Sequence, residues 1–306
     1  MKIVDTQWHE PAPVSEWQPD DVETRRALLT ELLFANMNAV GVDAVLIFPL
    51  EDRGWPMSLA AAHPDRFAWV PMVTAADAPG DPDLPIRPDA PDLEDQIAAL
   101  AEDPGCAAVR ILAAFFEEEV VRHKAGGNER ALAACEKYGL PVYFFCSGEP
   151  ELAAPVAEKY PDLTMVIDHL GVRQPPLEEP DDPWYAKFPD VLALAKYPKV
   201  TVKLAGSPVF SKTGWPYRDT WPQIREVVDA FGADRVMWAS DASRFSGRIG
   251  WSMRVEEAMV PYPGKHNYAE SLSFVRDTDL LSDEEKGWVL GGSSTKWLNW
   301  PADGGA

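Results

Sequence analysis

The sequence predicts an α/β fold: a single (β/α)8 barrel of the TIM-barrel type, with long βα loops and a C-terminal helical extension. Eight short apolar runs recur along the 306 residues, amphipathic helical stretches lie between them, and no Gly-x-Gly-x-x-Gly motif follows the first run. Nearly continuous apolar runs are typical of parallel strands covered on both faces. The missing glycine motif argues against a dinucleotide-binding sheet. We therefore expect one domain over residues 1–306.

The elements follow one another in a regular order. The predicted strands lie at residues 2–5, 43–48, 67–73, 106–112, 141–146, 164–168, 199–204 and 235–239. The predicted helices lie at residues 22–40, 93–102, 128–138, 150–160, 184–197 and 220–231. The first helix ends before Gly41, a residue that suits the left-handed conformation at a helix C-terminus. This alternation predicts βαβ units and a parallel sheet.

Three connections between these elements are long. Residues 75–91 and 174–183 are rich in proline and acidic residues, which predicts solvated connectors because such a composition cannot build a core. Residues 241–270 follow the last strand and contain several aromatic and basic side chains. Connections of this length are usually functional or disordered. The aromatic content favours an ordered lid.

The charge of the chain excludes several classes of partner. There are 28 Lys and Arg against 49 Asp and Glu, a formal net charge of −21. Neither a nucleic acid nor an anionic membrane is an expected partner, and a negatively charged substrate needs a local cluster of Arg or Lys. We expect a small-molecule substrate. The Trp and Pro residues near the C-terminus suit a subunit contact, so a homo-oligomer is left open.

The cysteines and the apolar segments predict a cytoplasmic protein. Cys106, Cys135 and Cys146 are odd in number, and their spacing matches no zinc knuckle. No apolar stretch is long enough for a signal peptide or approaches the ~20 residues of a membrane span. A reducing compartment is the simplest interpretation.

Polar residues cluster where the predicted strands end. They include Asp5, Gln7 and His9 at the end of the first strand, with the aromatic Trp8 between the last two, Arg110 in the fourth, Asp168 and His169 at the end of the sixth, Lys203 in the seventh and Asp241 after the eighth. Each residue alone has a structural explanation, such as a buried histidine, a capping aspartate or an ion pair. In a barrel, however, the carboxyl ends of the strands meet at one mouth, where active sites lie. The joint placement therefore predicts an active site.

Several motifs in this sequence resemble those of a known family. Val-Asp-x-x-x-His at 4–9, Val-Ile-Asp-His-Leu-Gly at 166–171 and Trp-Ala-Ser-Asp at 238–241 resemble the amidohydrolase-related branch of the amidohydrolase superfamily. Residues 139–142, 160–163, 202–206 and 290–300 resemble the lactonase-type subgroup, which contains fuconolactonase-like and pyrone-dicarboxylate lactonase-like enzymes. The resemblance covers essentially the whole chain and implies a hydrolase.

The sequence departs from the metal-binding form of that family. That form has His-x-His after the first strand and a histidine at the end of the fifth, where this chain has Gln7 and Cys146. A zinc site needs at least three good ligands. Lactonases of this type work without a metal, so the resemblance implies no obligatory cofactor. The alternative is one divalent ion such as zinc, held by His9, His169 and Asp241.

The resulting hypothesis is hydrolysis of a small cyclic ester or amide, lactone-like or lactam-like, that bears a carboxylate or a similar group. Asp241 is the expected general base for water, and His9 and His169 are expected to stabilise the oxyanion. The expected substrate-binding residues are Arg110, Lys203, Gln7, Trp8 and Arg244.

Two alternatives remain open. One is a metal-dependent non-oxidative decarboxylase of the same superfamily, which release of carbon dioxide would reveal. The other is a non-catalytic descendant, against which the retained base and its polar partners argue.

Overall fold

The structure, a computed structural model, describes residues 1–10, 21–50, 52–75, 85–175, 178–242, 249–250, 262–263, 266–298 and 300. The strands are β1 (Val4–Trp8), β2 (Ala44–Ile47), β3 (Phe67–Trp69), β4 (Met72–Val73), β5 (Val109–Ala114), β6 (Val142–Cys146), β7 (Met165–Ile167), β8 (Val200–Ala205), β9 (Val236–Ala239), β10 (Ile249–Gly250) and β11 (Tyr262–Pro263). The α-helices are α1 (Val22–Val40), α2 (Gly54–Ala62), α3 (Leu93–Glu102), α4 (Glu117–Lys124), α5 (Glu129–Tyr138), α6 (Ala153–Lys159), α7 (Phe188–Ala193), α8 (Trp221–Phe231), α9 (Tyr268–Arg276), α10 (Asp283–Gly287) and α11 (Ser293–Leu298).

The parallel strands follow one another around a barrel. One sheet has the order β1-β2-β3 and the other runs from β4 to β9. Trp69 at the end of β3 bridges Cys106, on the chain that leads into β5, so the two sheets are continuous. At the other edge, Trp8 of β1 bridges Ala242, just after β9. The strand order therefore returns to its start, and the prediction of a (β/α)8 barrel is confirmed.

The predicted third strand, residues 67–73, is interrupted at Pro71. A proline has no N–H to donate to a neighbouring strand, so it divides the segment into β3 and β4. Its carbonyl still accepts a hydrogen bond from the backbone N–H of Arg110, at 2.7 Å. The two short strands together serve as the third strand of the barrel.

The C-terminal helices cover the amino end of the barrel, which leaves the carboxyl end for the site. The indole of Trp300 donates to the carbonyl of Pro64, in the connection that precedes β3. Gly291 lies against the first strand so closely that a Cβ on it would be 2.1 Å from the Lys2 carbonyl oxygen. Only glycine permits this approach. Leu298 and Trp300 pack with Val4 and other buried strand residues in one apolar cluster.

Candidate active site

The structure brings six predicted site residues together at the carboxyl ends of the strands. They are Gln7 in β1, Arg110 in β5, Lys203 in β8, and His9, His169 and Asp241 after β1, β7 and β9. All six are buried. The centre is therefore shielded from water, which strengthens every electrostatic interaction within it.

The Trp8 side chain, which was also predicted to bind substrate, is not part of this group. The Trp8 ring meets the Tyr268 ring edge-on, with centroids 5.0 Å apart, in a packing contact between β1 and α9. Arg244 lies outside the described residues. Most of the lid predicted over residues 241–270 does too, apart from residues 241–242, the paired strands β10 and β11, and residues 266–270.

The backbone is strained at two of the site residues. His169 has a φ of 50° and Asp241 a φ of 54°, both in the left-handed region. Leu170 shares that region with a φ of 57°. Residues other than glycine adopt it in only a few per cent of cases, roughly, and such conformations concentrate at functional sites. The strained backbone of the turn after β7 directs the His169 ring toward the centre.

The side-chain amide of Gln7 lies at the middle of the centre. Its Nε2 donates to Asp241 Oδ1 at 2.8 Å and lies 2.8 Å from His9 Nε2 and 3.3 Å from His169 Nε2. Its Oε1 accepts a short hydrogen bond from Lys203 Nζ. One amide therefore connects both histidines, the carboxylate and the lysine.

The tautomer of His9 follows from its partner on β2. His9 Nδ1 lies 2.9 Å from the Phe48 carbonyl oxygen, which can only accept, so the proton is on Nδ1. In the neutral ring Nε2 then carries a lone pair. That lone pair faces Gln7 Nε2 and lies 3.3 Å from Asp241 Oδ1.

The tautomer of His169 is set from both sides of the ring. Gln174 Nε2 donates to the Ala205 carbonyl at 2.8 Å, so Gln174 Oε1 faces His169 Nδ1 at 2.9 Å and Nδ1 carries the proton. On the other side Arg110 can only donate to His169 Nε2, at 3.2 Å. Burial lowers the pKa of His169 to about 4, although Asp168 and Asp241 raise it in part. His169 is therefore neutral at pH 7.

Asp168 holds the two cations of the centre. Its Oδ2 lies 2.6 Å from an Arg110 guanidinium nitrogen and its Oδ1 lies 2.5 Å from Lys203 Nζ. Burial alone would raise the pKa of Asp168, but the charges of Arg110 and Lys203 outweigh it and hold the pKa below its usual range. The guanidinium also lies over the Phe145 ring, 4.6 Å from its centroid.

Lys203 is enclosed on all sides. It has no exposed surface, and its ammonium lies 4.7 Å from the Phe48 ring centroid and 4.6 Å from that of Tyr143. Burial lowers its pKa to about 8, against the opposing effect of Asp168. Its described partners, Asp168 and Gln7, lie within the protein.

Asp5 forms a second buried carboxylate site at the junction of β1 and β9. It accepts hydrogen bonds from the Ser240 hydroxyl at 2.5 Å, the Ser240 N–H at 2.8 Å and the Gln7 N–H at 3.2 Å. Burial raises the pKa of Asp5 to about 6, and the hydrogen bonds from Ser240 offset only part of that effect. These bonds join the two strand ends that carry Gln7 and Asp241.

Asp168, Gln174 and Asp5 had no predicted role in the site. Asp168 stands beside His169 at a strand end, so its position was a usable signal for a counter-ion. Gln174 lies in a segment predicted to be a solvated connector, yet it is buried and orients a histidine. Nothing in its local sequence indicates that contact.

The three candidate metal ligands do not form a site that fits a metal as they stand. The Gln7 amide nitrogen lies between them, and an amide N–H is a donor and no ligand. Among the described residues, no group of three or more His, Cys, Asp and Glu could hold a metal ion.

In the same part of the chain, no helix has the length and apolar character to cross a membrane.

Comparison with known proteins agrees with the motif resemblance. A family model described as amidohydrolase matches residues 4–300. A curated L-fucono-1,5-lactonase from Burkholderia ambifaria is 36% identical over 100 residues, which cover 31% of this chain and 32% of that enzyme. The chain therefore spans about a third of the length of the curated relative it matches.

Solved structures share the fold over nearly the whole chain. An amidohydrolase from Burkholderia multivorans with bound zinc has a TM-score of 0.69 and 18% identity, covering 98% of this chain and 100% of that one. A probable 2-pyrone-4,6-dicarboxylic acid hydrolase from Acinetobacter baumannii with bound citric acid has a TM-score of 0.60 and 14% identity, with the same coverage. Decarboxylases also share the fold. At these identities the likeness concerns the fold alone.

Proposed function

The chain belongs to the amidohydrolase family, and from that premise we propose that it hydrolyses a small lactone with Asp241 as the general base and without an obligatory metal. The single observation that carries the proposal is the grouping of the Asp241 carboxylate with the His9 and His169 rings beside the Arg110 guanidinium. The partial match to a lactonase supports an ester ring over an amide ring as the substrate.

The nucleophile in this proposal is a water molecule that donates a hydrogen bond to the Asp241 carboxylate. The Gln7 amide nitrogen lies among the two histidine Nε2 atoms and Asp241 Oδ1, so the water approaches Asp241 from the substrate side and turns a lone pair to the carbonyl carbon. Asp241 removes one of its protons as the oxygen attacks the carbonyl carbon. Positioned general bases of this kind contribute about 10²- to 10⁴-fold to rate.

The predicted donation from the two histidines to the oxyanion needs revision under this proposal. Both Nε2 atoms carry lone pairs, because Nδ1 holds the proton in each ring. The donor is instead Arg110, whose Nη2 lies 3.2 Å from His169 Nε2. A guanidinium in a buried site stabilises developing negative charge strongly.

The ring opens when the tetrahedral intermediate collapses. The carbon–oxygen bond of the ring breaks, and Asp241 returns its proton to the leaving alkoxide. The products are one carboxylic acid and one hydroxyl in the same open molecule, so the net addition is one water, and the acid then releases its proton to the solvent as a carboxylate.

Arg110 is the better placed of the two predicted anion-binding residues. Lys203 is wholly buried and bound to Asp168 and Gln7, so its charge supports the centre from within. A carboxylate or other oxygen-rich group on the substrate would therefore meet Arg110 first. The charge of Asp168 offsets one of these two cations, which leaves a modest positive balance beside Asp241.

The proposal is tested by supplying the purified protein with an uncharged sugar lactone and with a pyrone dicarboxylate while acid release is followed at constant pH. We expect ring opening of at least one lactone well above the spontaneous rate, and a rate lower by about 10²- to 10⁴-fold in Asp241→Asn. Release of carbon dioxide without ring opening would contradict the proposal in favour of a decarboxylase. Ring opening at close to the wild-type rate in Asp241→Asn would contradict the assigned base.

A further inference from the structure

We infer that the side-chain amide of Gln7 occupies the position of a metal ion in this centre, and that Asp168 and Lys203 are the positioning residues that hold it there. The inference concerns the same residues as the proposed function. Its test measures metal uptake and histidine protonation, so it stands or fails independently of lactone turnover.

The acceptors around Gln7 converge as ligands would. Asp241 Oδ1 and His9 Nε2 each lie 2.8 Å from Gln7 Nε2, and His169 Nε2 lies 3.3 Å away. Asp241 Oδ1 and His9 Nε2 are themselves only 3.3 Å apart. Two lone-pair atoms so close repel one another unless a cation or a donor lies beside both. The Gln7 amide supplies that donor with its two protons.

The orientation of the amide is determined by its other end. An ammonium group carries only donors, so Lys203 must face the oxygen of Gln7 and cannot face its nitrogen. Lys203 is held in turn by Asp168, 2.5 Å from its Nζ. The nitrogen of Gln7 is thereby turned toward the histidines and Asp241, and the opposite rotamer would bring donor against donor.

The two histidines are prepared for the same partner. Each carries its proton on Nδ1, through the Phe48 carbonyl for His9 and Gln174 for His169. This leaves Nε2 as the acceptor, which is also the form that a metal ligand requires. The chain thus keeps an acceptor arrangement suited to a cation and fills it with a neutral donor.

Gln7→Glu tests the inference because it changes charge with almost no change in shape. One carboxylate oxygen keeps the contact with Lys203, and the other meets three acceptors without a proton to give. We expect this variant to take up about one zinc ion per chain after dialysis, while the wild type retains none in stoichiometric amount. Elemental analysis and competition with a chromophoric chelator measure the uptake.

Two further variants test whether the zinc uptake is specific to the site around Gln7. Gln223→Glu, the same change on the outer helix α8, should behave as the wild type. Gln7→Glu combined with His9→Asn should lose the zinc, because one of its ligands is gone. Uptake in the wild type, or equal uptake in the two glutamate variants, would overturn the inference.

A measurement on the unaltered protein decides the matter if Gln7→Glu does not fold. Nitrogen-15 NMR distinguishes the two histidine tautomers, and we expect His9 and His169 as neutral Nδ1–H rings in the metal-free wild type at pH 7. Nε2–H tautomers in the wild type would overturn the inference.

Discussion

Two buried aspartates, Asp168 and Asp5, differ only in their partners, and the difference shapes the whole centre. Both have no exposed surface. Asp168 faces the cations Arg110 and Lys203, which hold its pKa below the usual range against the effect of burial. Asp5 faces only neutral donors, so burial raises its pKa to about 6. Burial sets the cost of a charge, and the neighbouring charges decide whether the group keeps it.

Gln7 connects these two regions. Through Lys203 its oxygen contacts the cationic region around Asp168, while its backbone N–H donates to Asp5. Its amide nitrogen lies beside Asp241 in between. The proposed base is thus supported by one region that is charge-balanced and by another that is neutral or ionised according to pH.

The largest effect is expected from Asp241→Asn, which removes the proposed base and leaves both supporting regions in place. We expect kcat on a lactone substrate to fall by about 10²- to 10⁴-fold, since the amide accepts no proton from water. Asparagine tolerates the left-handed backbone of residue 241, so the fold should persist. Steady-state kinetics with circular dichroism checks both points. A variant that keeps most of its turnover would show that the base lies elsewhere.

Asp168→Asn breaks the charge balance of the cationic region. It removes the carboxylate that pairs with both Arg110 and Lys203 and leaves these buried cations in excess, and we expect the free energy of unfolding to fall by about 3–5 kcal/mol. Urea denaturation measures the change. Asp279→Asn is the matched control, because Asp279 pairs with Arg218 on an exposed surface, where ion pairs contribute little to stability. Equal losses in the two variants would contradict the comparison.

Much of the fold was predictable because the burial of a strand is directly visible in the apolar character of its sequence. The runs at 43–48 and 199–204 are apolar along nearly their whole length, as strands covered on both faces require. The interruption at Pro71 was not predicted. It depends on which neighbouring strand needs a backbone N–H at this position, and the sequence of one apolar run does not reveal that.

The site was predictable as a set of residues and less so as a set of contacts. Strand-end position indicated His9, His169 and Asp241, and the structure brings them together around Gln7. Their proton positions depend on the Phe48 carbonyl and on Gln174. Those partners are set by packing between distant segments, which local patterns do not encode.

Asp5→Asn should remove a pH dependence of stability that comes from the junction of β1 and β9. The pKa of Asp5 is about 6 in the folded chain, against an ordinary value near 3.8, so the native state binds more protons between these values. The free energy of unfolding of the wild type therefore falls as pH rises from about 4 to about 6, by about 3 kcal/mol from this group. The other titratable groups beside it, Tyr143 and Tyr268, have raised pKa values and stay neutral in this range.

Urea denaturation at several pH values tests this expectation. The asparagine side chain introduced by Asp5→Asn can keep the acceptor for the Ser240 N–H, so the variant should fold and should lack the fall between pH 4 and pH 6. A slope of unchanged size in Asp5→Asn would assign the dependence to another group.

Ser240→Ala is expected to give the smallest effect and the finest test of the contrast. It removes the hydroxyl that donates to Asp5 at 2.5 Å, so the pKa of Asp5 should rise further. Because hydrogen bonds to charged groups are stronger than neutral ones, the stability loss should be about 1 kcal/mol greater at pH 8 than at pH 4. The Ala242 N–H loses its acceptor as well, but that loss is independent of pH. Ser207→Ala is the control, since Ser207 is equally buried and its hydroxyl has no hydrogen-bond partner among the described residues. A loss of stability in Ser240→Ala that does not depend on pH would mean that the hydroxyl stabilises the junction of the two strand ends but does not stabilise the ionised form of Asp5.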